Sequence, residues 1–139
     1  MKKTILPPQR LLQNRLDDAF QFWPVLVWAA KNQQTMTYKD LYELTGVHWH
    51  EGNKMSRSLD IIYRYCEENL NCYLTVLVVT QGTGKPGGRS FVPDNAVDKA
   101  RQDVFALAKG KDKKTVLTNP GLVNLQQFIE EWNEKYFGR

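Results

Sequence analysis

Residues 35–92 read TMTYKDLYELTGVHWHEGNKMSRSLDIIYRYCEENLNCYLTVLVVTQGTGKPGGRSFV, and their punctuation and apolar spacing set the expected fold. Thr37 followed by Asp40 has the form of a capping box, in which a side-chain oxygen satisfies a free N–H at a helix start. Tyr38, Leu41, Tyr42 and Thr45 then share a face, and Gly46 supplies a stop. Asn53 is placed to cap the next helix, over Lys54–Asn69, whose apolar stripe is Met55, Leu59, Ile62, Cys66 and Leu70. Lys54, Arg57 and Arg64 are expected on the other side, with Ile61 between them. Tyr73–Thr80 is rich in β-branched residues and reads as a strand. Gln81–Gly88 holds four glycines and Pro86 and must turn, and Arg89–Val92 reads as the return strand. Two helices followed by a hairpin, Leu74–Val92, predict an α+β fold. It is mainly a helical winged helix-turn-helix with a β-hairpin wing and additional C-terminal helices.

Outward from this stretch, Leu16, Phe20, Trp23, Val27 and Ala30 recur at four- and three-residue steps, an amphipathic stripe interrupted by Pro24. Either one helix kinks there, or a short helix ends near Phe22 and another begins with Pro24 in its first turn. Asp94 can cap a helix to about Ala108 carrying Val97, Ala100, Val104 and Leu107 or Ala108. Asn119-Pro120 opens a last helix with the stripe Leu122, Leu125, Ile129, Trp132 and Tyr136. The expected organisation is a basic arm over 1–15, a winged-helix domain over 16–108 and a basic linker over 109–118. The C-terminal helix over 119–139 then packs on the domain or makes an interface, and its aromatic weight leaves room for a homodimer contact.

The 139 residues, 42% hydrophobic and 24% charged, suit one ordinary globular domain with a real core. No apolar run approaches the roughly 18 residues of a membrane span, and Pro7-Pro8 ends the short run after Lys2-Lys3, so no signal peptide is expected. Cys66 and Cys72 are too few for a disulfide framework, and a reduced, cytoplasmic state is the simpler reading, with a bridge between them left open. The net charge of +4 is unevenly spread. Lys2, Lys3, Arg10 and Arg15 face no acid in the first fifteen residues, Lys109–Lys114 holds four lysines, and the hairpin tip adds Lys85 and Arg89. Between Lys39 and Glu68, by contrast, four basic residues face six acidic ones. Phosphate backbones need clustered positive charge, which the wing and flanks supply better than the helix pair does.

Little in the chain suggests catalysis. Gly82-Thr83-Gly84-Lys85 invites comparison with a phosphate-binding loop, but Val79 stands at the first glycine position and Pro86 where Ser or Thr would hold magnesium. The loop also leads into a strand, so no helix N-terminus is offered to a phosphate. His48-Trp49-His50-Glu51 gathers both histidines, yet two imidazoles two residues apart do not make a metal site, and a polar loop with Trp49 tucked inward is expected. Cys66 falls on an apolar stripe and is expected to be buried. The adjacent pairs Asp17-Asp18, Glu67-Glu68 and Glu130-Glu131 point about 100° apart on a helix and read as solvated surface. Neither catalytic residues, metal ligands nor cofactors are expected.

The order of motifs resembles the DNA-binding domain of the O6-alkylguanine DNA alkyltransferases and alkyltransferase-like proteins, over about residues 36–91. Their Thr-Tyr-Gly-Asp/Glu pattern is similar to Thr37-Tyr38-Lys39-Asp40, and Arg57-Ser58-Leu59-Asp60 sits where they carry Arg-Ala-Val-Gly. Their Pro-Cys-His-Arg-Val-Val strand corresponds to Leu74-Thr75-Val76-Leu77-Val78-Val79. Thr75 stands where the alkyl-accepting cysteine would be, and Val76 and Leu77 replace His-Arg, so this chain cannot accept an alkyl group by that reaction. The resemblance implies a winged helix that keeps the scaffold without the chemistry. Tyr38 would be the base-rotating tyrosine and Arg57 the inserted arginine, with Lys39 in place of the glycine.

The leading expectation is non-catalytic binding of nucleic acid, double-stranded DNA in particular, through Tyr38, Lys54, Arg57, Arg64, Lys85 and Arg89. Asp60 lies one turn from both arginines and offers the alternative of a neutralised face. The second expectation is a protein-interaction module, such as a small inhibitor, immunity factor or adaptor from a bacterial or phage system. The acidic balance of 39–68 favours that version. A metal-dependent enzyme built on His48–Glu51 ranks third.

Overall fold

A computed structural model of the chain describes residues 10–47, 54–70, 72–80, 94–109 and 121–138. Among these are α1 (Leu16–Lys31), β1 (Met36–Thr37), α2 (Tyr38–Thr45), α3 (Lys54–Asn69), β2 (Val78–Val79), α4 (Val97–Lys109) and α5 (Gly121–Phe137). Short 3₁₀ turns precede α1, β2 and α4. The architecture is α+β and mainly helical, a winged-helix-like arrangement with further helices following it.

Pro24 lies inside α1, so the stripe belongs to one continuous helix and not to two. Its ring is on the exposed side, where water can serve the Phe20 carbonyl left without a helical donor. The opposite side buries Phe22, Trp23, Leu26, Ala29 and Ala30 in the core.

α2 is short and set by its ends. Thr37 Oγ1 accepts from the Asp40 amide at 3.0 Å, and the Thr37 amide donates to Asp40 Oδ2 at 3.1 Å, the expected capping box. Gly46 closes the helix at φ 79°, a left-handed conformation that costs a side-chain-bearing residue energy, and its amide donates to the Tyr42 carbonyl.

α3 is buried on more than its expected stripe. Met55, Leu59, Ile62 and Cys66 face the core, and so do Ser58, Asp60, Ile61, Tyr63 and Arg64. It packs against α1, against α5 and against the 3₁₀ turn Leu74–Leu77.

That turn corrects the expected strand over Tyr73–Thr80. Leu74–Leu77 is a 3₁₀ turn with all four side chains buried, and only Val78–Val79 is extended. The physical reason is legible afterwards: a continuous apolar run has no two-residue alternation, so it fits a turn buried on every side as well as a strand. β2 pairs in parallel with β1, Met36 opposite Val78 and Thr37 opposite Val79. The glycine-rich tip and the return strand Arg89–Val92 lie outside the described residues.

α4 buries Val97, Ala100, Val104 and Ala108, the stripe its spacing predicts. Leu125, Ile129 and Trp132 of α5 join the same core, while Tyr136 of the expected stripe is exposed. An aromatic chain ties three helices together. Trp23 meets Tyr65 edge-on at 5.7 Å, Tyr65 meets Phe128 at 5.5 Å, and Phe128 meets Trp132 at 5.9 Å. The segment before α1 is also fastened down. Leu11 is buried, its amide donates to Asn133 Oδ1 at 2.8 Å, and Asn133 Nδ2 donates to its carbonyl at 2.9 Å. No described helix is long and apolar enough to cross a membrane.

Candidate nucleic-acid interface

The capping box fixes the start of α2 and therefore places Tyr38, its first residue, half-buried at the head of the helix. Lys39 beside it is exposed, and its ammonium lies 3.9 Å from Glu43, a loose surface pair that salt would screen. Arg57 projects from α3 into solvent. Most described side chains of α3 between Met55 and Cys66 are buried, and Arg57 is the exposed exception among them. Lys54 is the first residue of the same helix, three positions earlier.

Arg64 does not belong with them. Sequence spacing placed it on the outer face, but it is 2% exposed and packed into the core. Its Nε lies 3.4 Å from Asp60 Oδ1, and its guanidinium carbon lies 5.2 Å from the Tyr63 ring centre and 5.3 Å from that of Trp132. A planar, weakly hydrated cation between two aromatic rings and a carboxylate is among the few charged arrangements an interior accepts. The pull comes from α5, since Trp132 supplies a ring that sequence spacing on α3 could not reveal. Arg64 is thus a structural cation and is removed from the candidate interface.

Asp60 also answers the expected choice between its two arginine neighbours: it faces Arg64, inward. Arg15 is occupied too, paired with Asp18 at 2.8 Å, while its carbonyl accepts from the buried Ser58 hydroxyl at 3.2 Å. Arg10 lies over the Phe137 ring at 5.1 Å. The segment expected as a basic arm therefore has its described arginines resting on the domain.

No protein-family model, curated protein or solved structure matches this chain.

The Cys66 thiol is poorly placed to react. Cys66 and Cys72 are both free and buried. Burial pushes the Cys66 thiol well above its ordinary value, hydrogen bonding and proximity to Cys72 push the same way, and the Leu74 backbone opposes. A thiol held protonated neither attacks nor binds metal readily. Among the described residues no group of three metal-binding side chains occurs; His48, His50 and Glu51 lie outside them, as do Lys85 and Arg89. Thr75, which stands at the alkyl-acceptor position of the resembling family, is buried in the 3₁₀ turn. Its hydroxyl has no hydrogen-bond partner among the described residues.

Proposed function

We propose that this protein binds double-stranded DNA without catalysing a reaction on it. The observation that supports the reading most is Arg57: it is an exposed guanidinium on α3, in a winged-helix-like order of helices, while Met55, Ser58 and Leu59 beside it are buried. A guanidinium on a rigid helix loses little freedom on binding and can serve either phosphate or base edges. Tyr38 at the capped start of α2 and Lys54 at the start of α3 join it in this reading. Lys85 and Arg89, outside the described residues, would add their charge to the same surface in this reading. The resemblance of Thr37–Asp40 and Arg57–Asp60 to alkyltransferase-type motifs points the same way, and Thr75 at the acceptor position argues against alkyl transfer.

The experiment is an electrophoretic shift with duplex, single-stranded and RNA probes of one sequence at two salt concentrations. Duplex binding that weakens steeply with salt is the expected result, because neutralising phosphates releases counterions. No retardation of any probe at low salt ends the reading.

A further inference from the structure

Trp28 is 54% exposed and Leu44 64% exposed, on helices that otherwise bury their large apolar side chains. They are not scattered. Both line one groove of about 250 Å³ where the C-terminal end of α1 meets α2, with Met36 also on its wall and Asp40 and Glu43 on its rim. An exposed indole beside an exposed leucine in a concave site is the ordinary form of a docking pocket for an apolar anchor.

The charge around the groove says what accompanies that anchor. Asp40 and Glu43 are exposed carboxylates, and no cation is among the described lining residues. Trp28 belongs to the last turn of α1; Lys31 of the same turn is exposed but is not among the described lining residues. Lys39 approaches Glu43, but at 3.9 Å between two well-exposed side chains it competes weakly with an incoming cation. The indole face itself favours a guanidinium or ammonium.

We infer that the Trp28–Leu44 groove docks a basic protein segment, an apolar side chain flanked by arginine or lysine. The apolar anchor would enter between Trp28 and Leu44. Its neighbouring cation would sit between the indole face and the Glu43 carboxylate. The chain then joins a nucleic-acid surface to a protein surface.

The test uses the full-length protein labelled with nitrogen-15 and two synthetic amphipathic peptides of equal length, one of leucine and arginine, the other of leucine and glutamate. The arginine peptide is expected to shift the Trp28 indole N–H and the Leu44 amide, and the glutamate peptide to leave them in place. Glu43→Lys should weaken the arginine peptide, chiefly by slowing its association, as reversal of a rim charge does, and Trp28→Ala should weaken it at least as much. Both substitutions are at exposed positions, and unchanged thermal melting would show that the fold is kept. Arg57→Ala should leave peptide binding unaltered. The inference is overturned if neither peptide shifts these resonances, if both do so equally, if the shifts fall elsewhere, or if a short DNA duplex produces the same shifts.

Discussion

Asp60 Oδ1 lies 3.4 Å from Arg64 Nε, one helical turn apart, with both side chains less than a tenth exposed. The pair sits against the Tyr63 and Trp132 rings in the interior. Breaking a buried ion pair by removing one partner costs about 3–5 kcal/mol, because the remaining charge loses its nearest counter-charge in a low-dielectric site. Asp60→Ala and Arg64→Ala are each expected to lower the urea midpoint by that equivalent, whereas Arg64→Met, which fills the space without charge, should cost much less. Equal losses for Ala and Met would show that packing and not charge compensation sets the value.

The Arg64 result also marks how far sequence reasoning reaches. The capping box at Thr37, the stop at Gly46 and the stripe of α4 are local features, decided within one turn of chain, and each is found as its residues predict. The burial of Arg64 is decided by Trp132, far along the chain, and no periodicity within α3 carries that information. Leu74–Leu77 fails for a related reason. Its burial on all sides comes from the helices around it, and an apolar run without alternation leaves strand and turn equally open. The exposure of Arg57 was legible from its polarity and its place off the apolar stripe of α3. The Trp28–Leu44 groove was not, because large apolar side chains are assigned to the core by default.

Asn133 clamps the backbone of Leu11 with one donated and one accepted hydrogen bond. Asn133→Ala leaves a partly buried N–H and C=O without partners, a loss of about 1–3 kcal/mol. Asn133→Asp can still accept from the Leu11 amide but cannot donate to its carbonyl, so it should recover only part of the loss. Hydrogen exchange at the Leu11 amide provides the check: fast in Asn133→Ala, slower again in Asn133→Asp. An amide equally protected in all three proteins would show that the clamp does not hold the segment.

The Cys66 thiol has its pKa raised by burial and by Cys72. The folded state therefore keeps its proton at a pH where the unfolded chain has lost it, and stability falls as pH rises past the ordinary thiol range, above about 9. Tyr65, also raised by burial and by Cys66, adds to the fall slightly higher on the scale. Below the ordinary thiol range the contribution is fully present. Urea midpoints measured from pH 7 to 10 should decline in the wild type and decline less in Cys66→Ala, once each is referred to its own value at pH 7. Parallel curves would remove the thiol as the cause.

Arg57 and Arg64 make opposite predictions on nucleic acid despite sharing α3. Arg57 is exposed, and in the proposed reading it neutralises a phosphate or meets a base edge. Arg57→Ala should weaken duplex binding and, where the contact is to phosphate, reduce the slope of log affinity against log salt by about one. Arg57→Lys keeps the charge and should keep the slope; a further loss of affinity then identifies a bidentate contact, which lysine cannot make. Arg64→Met keeps the interior filled and should leave the slope unchanged, whatever it does to stability. An Arg57→Ala protein that binds duplex as the wild type does, at both salt concentrations, would place the binding surface elsewhere on the molecule.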